Sequence, residues 1–377
     1  MENLNTSAYK GRIARVIYIF TAAIFVVFTV LTLILKISED KPYWMTIIFT
    51  VIQGGLLLCM YYGIQNFLIH LSERMKWVFA ICVFIIFFSL QVIMATALYG
   101  TIAYDFNYLF NAANAITNSG SMTGFDVYFA EFPNNTFLML CFTNLFRVCN
   151  LMGGLSYIKA LICVNIICID ISIILAYLSA KKMFGKKTSL LTLCMMLPVV
   201  GLHRGVALPY SDIFCMMFSV LTLFIYLHIP EQGVKRWIYI ILLSLSCVIG
   251  FLIKPQVLIV PTAIAICMFL KEKVSWKTLW PEVKAACCFV LAFIVFNMGI
   301  GKYIDIEIRP YISAQLEEET AVSITHFMMM GMNETSNGFF SSDDYKMTLA
   351  HKGKKAKTEF NIKEIKNRLY QFGIGGY

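Results

Sequence analysis

Asp105 stands in the run Tyr104-Asp105-Phe106-Asn107-Tyr108, a few residues after an apolar stretch that closes near residue 98. A carboxylate there lies at a membrane–water boundary. It can take a proton from an acceptor hydroxyl as that hydroxyl attacks a sugar's anomeric carbon. Tyr104 and Tyr108, with Glu131, Asn134 and Asn135 further on, offer the hydrogen bonds and flat apolar faces that suit a sugar. A second acid, Asp212, follows Pro209-Tyr210-Ser211 at another turn, and Tyr210 adds a further phenol. Arg204 precedes that turn, and Lys254 stands before Pro255 at a third. A guanidinium grips phosphate through two parallel bonds, whereas an ammonium acts as a point charge. An anionic lipid-linked sugar needs such a set. Each residue also has a structural alternative: Asp105 and Asp212 as helix caps, the aromatics as an interfacial belt, and Lys254 as a snorkelling helix-end lysine.

Other polar residues point elsewhere. Asp170 falls mid-run in Asn165-Ile166-Ile167-Cys168-Ile169-Asp170. A charge at that depth is costly and faces a partner or a cavity, and a hydrogen-bonded partner on a neighbouring helix is the preferred reading. His326, in Thr325-His326-Phe327-Met328-Met329-Met330, is a binding candidate, but its spacing to nearby acids matches no metal-ligand motif, so no metal is expected. The chain shows no phosphate-cradling glycine loop, nucleotide fingerprint or nucleophile elbow, and no cofactor is expected. The 12 cysteines mostly lie inside apolar runs and read as small packing residues.

The elements that must hold these groups are membrane helices. The 377 residues are 59% hydrophobic and 14% charged, with a mean hydropathy of +0.72. A soluble domain carries roughly 25% charged residues, so this chain cannot cover a soluble surface. The expected fold is all-α, a polytopic bundle of about nine spans at 13–35, 44–68, 77–98, 157–180, 188–203, 212–229, 236–252, 256–271 and 283–302. The net charge of +9 reflects short basic clusters between these runs, which excludes the nucleic-acid reading and orients the chain. Lys10/Arg12/Arg15, Arg74/Lys76, Lys181 to Lys187, Lys235/Arg236 and Lys271 to Lys284 then face the cytoplasm together with the N-terminus. That holds if Phe137–Leu151, which carries Arg147, lies flat at the outer interface within one long outer loop, 99–156.

Three regions follow: two N-terminal helices over 1–76, a membrane core over 77–302 that carries the outer loop, and a polar extracytoplasmic segment over 303–377. In the last, Asn361 is expected to cap a short helix whose Ile362, Ile365 and Leu369 share one face.

The Asp105 loop, Tyr128-Phe129 through Phe132-Pro133-Asn134-Asn135, the Tyr210-Ser211-Asp212 turn, Lys254-Pro255 and the Met330-Gly331 to Gly338 segment resemble the glycosyltransferase-C superfamily. The similarity is to its bacterial protein O-mannosyltransferase and aminoarabinose-transferase branch, over about residues 77–377. The resemblance implies a polyprenyl-phosphate sugar donor, chemistry on the extracytoplasmic face of the cell membrane, and Asp105 as the first-loop catalytic acid. Asp212 then takes the second acidic position. It also implies further spans beyond Tyr377, hence a C-terminally truncated chain. Two features differ: Phe106 follows Asp105 where mannosyltransferases often carry an acidic pair, and Phe132-Pro133-Asn134 stands where His-Pro-Pro is common. Both leave the sugar and the acceptor open.

The expected function is therefore a membrane glycosyltransferase whose partners are membrane lipids and a lipid-linked donor. Its acceptor would be a cell-wall polymer, lipid or protein. The alternative is a transporter or flippase of lipid-linked sugars or polymers, which would need polar residues along a path through the spans.

Overall fold

The computed structural model describes residues 55, 59, 62–98, 104–269 and 276–372. The expected span 13–35, and most of 44–68, lie outside the described residues. Helix is the regular structure throughout, and no strand occurs among the described residues.

Four helices are long and apolar enough to cross a membrane: α1 (Glu73–Leu98), α5 (Tyr157–Phe184), α8 (Val234–Ile253) and the greater part of α10 (Trp276–Ile308). At 1.5 Å per residue, each matches or exceeds the ~30 Å hydrocarbon thickness of a bilayer. Two other expected spans are shorter apolar helices, α7 (Ser211–Leu227) and α9 (Ile259–Phe269). The expected span 188–203 is α6 (Lys186–Met196) continued by a π-turn, Leu197–Gly201. Gly201 sits where a Cβ would come 3.2 Å from Gln91 Nε2, so its lack of a side chain permits close approach to α1.

Between α1 and α5 the chain forms α2 (Tyr104–Ser119), α3 (Asp126–Glu131), a 3-10 turn (Pro133–Asn135) and α4 (Thr136–Leu151). Phe106, Leu109, Ala113 and Ile116 recur at helical spacing on α2 and are buried. Leu138, Phe142 and Phe146 do the same on α4, and the two stripes pack together at the head of the main core with Leu161 of α5 and Phe214 of α7. Arg147 on α4 reaches Glu307 near the end of α10 at 2.9 Å, so the segment expected to lie flat is tied into the bundle by an ion pair.

The helices alternate in direction, as side-chain bonds between their ends record. Asn165 of α5 donates to the carbonyls of Gly205 and Val206 at 2.8 and 2.9 Å. Tyr157 at the head of α5 bonds Asn118 at the foot of α2 at 3.1 Å. The end of α1, the start of α5, the end of the π-turn, the start of α7 and the ends of α8 and α10 thus gather at one end of the bundle. The junctions 184–186 and 227–234 lie at the other.

α7 and α8 pack closely at Gly250, where an added Cβ would come 2.8 Å from Phe218 Cβ of α7 and 2.7 Å from Val257 Cγ1 just beyond α8. The substitution Gly250→Val is expected to force these helices apart and lower stability by about 1–3 kcal/mol. A thermal melt of the detergent-solubilised protein reads the change; an unaltered melting temperature refutes the close contact.

Candidate functional site

Asp105 occupies the first turn of α2, where a carboxylate is favoured by the helix dipole. The next residue, Phe106, is rotated into the core, and this leaves Asp105 on the exposed side. Tyr210 is extended backbone just before α7, and its hydroxyl donates to Asp105 Oδ2 at 3.0 Å. Tyr128, on α3, also donates to Asp105, and its own oxygen accepts from Asn135 Nδ2 at 2.7 Å. Burial first, then the Asp105 charge and hydrogen bond, push the Tyr128 phenol far above its ordinary value against the opposing pull of Asn135. It stays a hydrogen donor across the physiological range. A carboxylate has about four lone-pair sites, so two phenols leave Asp105 able to accept from a third hydroxyl.

Asp212 sits one residue inside α7; the N-cap is Tyr210, and it makes no side-chain capping bond. What holds Asp212 is Lys254 Nζ, at 2.6 Å from its Oδ1. Pro255 explains why Lys254 is available. A proline forces the preceding residue out of the helical region, and Lys254 adopts φ −159°, ψ 123° between α8 and the 3-10 turn Pro255–Leu258. Its ammonium also lies 5.8 Å from the centre of the Tyr210 ring, within cation–π range. Asp105, Tyr210, Lys254 and Asp212 therefore form one continuous strip from three separate turns. A base, a phenol bridge and a cation stand side by side. An incoming anion would share the ammonium with Asp212.

The remaining expected residues divide. Tyr108 stacks on Tyr128 with ring centres 4.1 Å apart and stays half-exposed beside the strip. Asn135 joins through Tyr128, and Asn134 donates to Asn135 Oδ1 at 3.1 Å. The side chains of Tyr104 and Arg204 lie outside the described residues. The backbone of Arg204 opens a 3-10 turn, Arg204–Ala207, that is capped by His203 Nδ1. Asp170 is buried mid-span, and its Oδ1, like both polar side-chain atoms of the buried Gln91 on α1, has no hydrogen-bond partner among the described residues.

Glu131 and His326 belong to a different assembly, built by the polar tail. That tail forms α11 (Ala314–Thr320), α12 (Ile324–Gly331), α13 (Ser342–Leu349) and α14 (Lys354–Phe372). Glu131 hydrogen-bonds Tyr345, and its carbonyl accepts the Val322 amide at 2.8 Å, so α3 and the tail are joined there. Burial and the Glu131 bond push the Tyr345 phenol above its ordinary value. His326 is buried, with Nδ1 2.8 Å from Thr348 Oγ1. Asn361 does not cap a helix. α14 begins seven residues earlier, after Gly353 at φ +81°, and Asn361 is a buried mid-helix bridge to Thr348 and Thr325. Ile365 is buried, while Ile362 and Leu369 stay exposed, so the expected shared face is not buried as a unit. Lys357, in a lysine-rich stretch, is fully buried and donates to the carbonyls of Glu319 and Ala321 at the end of α11.

Tyr128 was absent from the expected site residues. Its signal in the sequence was no stronger than that of any loop tyrosine; only the fold of α3 against α2 brings it to Asp105.

Comparison with known families gives one match. Over residues 7–377 the chain matches the family described as conserved hypothetical integral membrane protein, and it belongs to that family. No curated protein and no solved structure matches. The membrane reading is thus shown; the family description carries no glycosyltransferase term.

The tail's polar core sets an acid response of its own. Burial raises the Asp344 carboxyl, but bonds from Arg368 and Asn333 and the charges of Arg368 and His326 more than offset that, holding it below the usual carboxylate range. Burial likewise lowers His326, against the pull of Asp344. Both groups have depressed folded values. Each therefore adds stability above its unfolded value, ~6.5 for His and ~3.9 for Asp, and loses it as pH falls through the folded value. Protection of the tail amides, taken relative to their intrinsic exchange at each pH, is expected to fall in a step below about pH 6.5 and again below about pH 4. Arg368→Met, which strands buried Asp344, is expected to cost about 3–5 kcal/mol at neutral pH. Tail protection that stays constant from pH 7 to 3 overturns this account.

Proposed function

We propose that this member of the conserved hypothetical integral membrane protein family is a glycosyltransferase acting on a polyprenyl-phosphate sugar. The observation that carries the reading is the joining of Asp105 to Tyr210 and of Lys254 to Asp212 within one strip. Three turns far apart in the chain supply a base and a cation side by side, as transfer from a phosphate leaving group requires.

In the reaction, an acceptor hydroxyl attacks the anomeric carbon and gives its proton to Asp105. The carbon–oxygen bond to the phosphate breaks, and the electron pair leaves with the polyprenyl phosphate. The anomeric centre inverts. Tyr128 and Tyr210 hold the Asp105 carboxylate in place by hydrogen bonds, and Lys254 neutralises the departing phosphate. Asp212 keeps the Lys254 ammonium aimed at the strip when no donor is bound. Tyr108, stacked on Tyr128 and half-exposed, offers the sugar a flat apolar face.

The strip lies on the extracytoplasmic side in this proposal. The basic residues at the opposite end of the bundle, including Arg74, Lys76, Lys181 and Arg236, support that orientation through the positive-inside bias. Cysteine-accessibility labelling at positions 105 and 212 is expected to place both on the outer leaflet, and labelling from opposite sides defeats the proposal.

A transporter of lipid-linked sugars has one observation in its favour, the buried polar groups Asp170 and Gln91 inside the spans, whose atoms Asp170 Oδ1, Gln91 Nε2 and Gln91 Oε1 have no hydrogen-bond partner among the described residues. Radiolabelled sugar transfer from lipid-phosphate donors separates the two. Membranes carrying the protein are expected to form covalent product, Asp105→Asn to lose about 10²–10⁴-fold of it, and Tyr210→Phe about tenfold through loss of one charge-assisted bond. Undiminished transfer by Asp105→Asn sinks the assignment. Movement of a fluorescent lipid-sugar across proteoliposomes without transfer selects the transporter.

A further inference from the structure

The end of the bundle remote from Asp105 carries a second polar constellation. Glu73, Lys76 and Trp77 at the start of α1, Tyr177 and Lys181 near the end of α5, and Lys186 at the start of α6 line one open cleft. Along α5, Lys181 lies 24 residues from Tyr157, roughly 36 Å of helix, so this cleft and the Asp105 strip are separate sites. Lys76 and Lys186 both bond the single Glu73 carboxylate, at 2.9 and 2.5 Å. Lys181 sits over the Trp77 ring at 5.0 Å, and Trp77 meets Tyr177 edge-on at 6.5 Å. Three ammonium groups thus line a cleft with one carboxylate, which pairs with two of them, and the cleft keeps a surplus of positive charge against an aromatic wall.

Helix stability accounts for only part of this arrangement. Lys181 is in the last turn of α5, where the dipole favours cations. Lys186 and Lys187 are in the first turn of α6, where it opposes them, and the Gly185 N-cap supplies no side-chain oxygen. The cleft's own cavity volume is about 10 Å³, far below the ~300–1,000 Å³ of pockets that enclose a drug-sized ligand, so it is a shallow notch in the surface. A small anionic group would lie across its open mouth, within reach of the lysine ammonium groups, with the rest of the ligand held elsewhere. Trp77, Ile81 and Ile85 follow at i, i+4 and i+8 on one face of α1, all exposed, and continue the aromatic wall as an apolar track along a spanning helix.

We infer that this cleft binds the phosphate headgroup of an anionic glycerophospholipid, with Lys76, Lys181 and Lys186 on the phosphate and the acyl chains along the Trp77–Ile81–Ile85 face. A phosphate with two attached chains is the ligand that needs cationic donors, an aromatic belt at the boundary and an apolar track in that order. Glu73 competes with the phosphate for two of the three ammonium groups.

Native mass spectrometry of the full chain, extracted with equal phosphatidylglycerol and phosphatidylcholine, tests this. The protein is expected to retain phosphatidylglycerol preferentially. Lys181→Gln, which leaves both Glu73 ion pairs intact, is expected to reduce that preference about fivefold, the effect of one lysine at an anionic surface. Glu73→Gln, which removes the competing anion, is expected to increase it. Equal retention of the two lipids overturns the inference. So does a preference that neither variant moves, the result expected of an ion-pair network that merely staples α1 to α6. A thermal shift by inorganic phosphate matching that of phosphatidylglycerol assigns the cleft to free phosphate and likewise overturns it.

Discussion

Hydrocarbon cannot hydrate a charge, and that cost sorts nearly every ionisable group in this chain. Along the four long apolar helices the charged side chains crowd toward the ends, and the interior exception, Asp170, is buried inside the bundle instead of facing lipid. Alternating helix directions then bring chain-distant polar turns to common ends. The Lys254–Asp212 pair and the Tyr210–Asp105 bond follow from this sorting: each joins groups excluded from the same apolar layer.

Within that constraint, proline and glycine decide the local geometry. Pro255 breaks the helix after Ile253 and turns Lys254 outward. Gly250, one turn earlier, lets α7 and α8 meet closely enough for the ammonium to span the gap to Asp212. The strip is thus a product of backbone breaks as much as of its side chains.

How much of this was legible in the sequence follows the same physics. Spans such as α1, α5, α8 and α10 announce themselves because a continuous apolar run of sufficient length has no soluble explanation, though α10 continues through Ile308, beyond the expected limit at 302. The sequence offers Asp105, Asp212 and Lys254 at three separate turns, and the structure joins them in pairs, Asp105 to Tyr210 and Lys254 to Asp212. The polar tail was read poorly. Asn361 has the residue type of a cap, but caps and buried amide bridges look alike in sequence, and only packing against Thr325 and Thr348 separates them. Lys357 likewise looks solvated in a run of lysines until the carbonyl ends of α11 are seen to receive it. Tyr128 stands in the sequence only as part of a resembling motif, because its place beside Asp105 depends on its ring stacking on Tyr108 of α2, a tertiary fact with no local signature.

The π-turn at Leu197–Gly201 has a consequence for how the bundle is phased. A π-turn accommodates one residue more than the surrounding α-helix requires. Excising a residue there would restore ordinary winding and swing everything downstream by about 100° about the helix axis. The stretch from His203 to Tyr210 would then leave α5 and α2 for a different azimuth. The single surplus residue works as an indexing pin: it sets the angle at which the second turn meets the first.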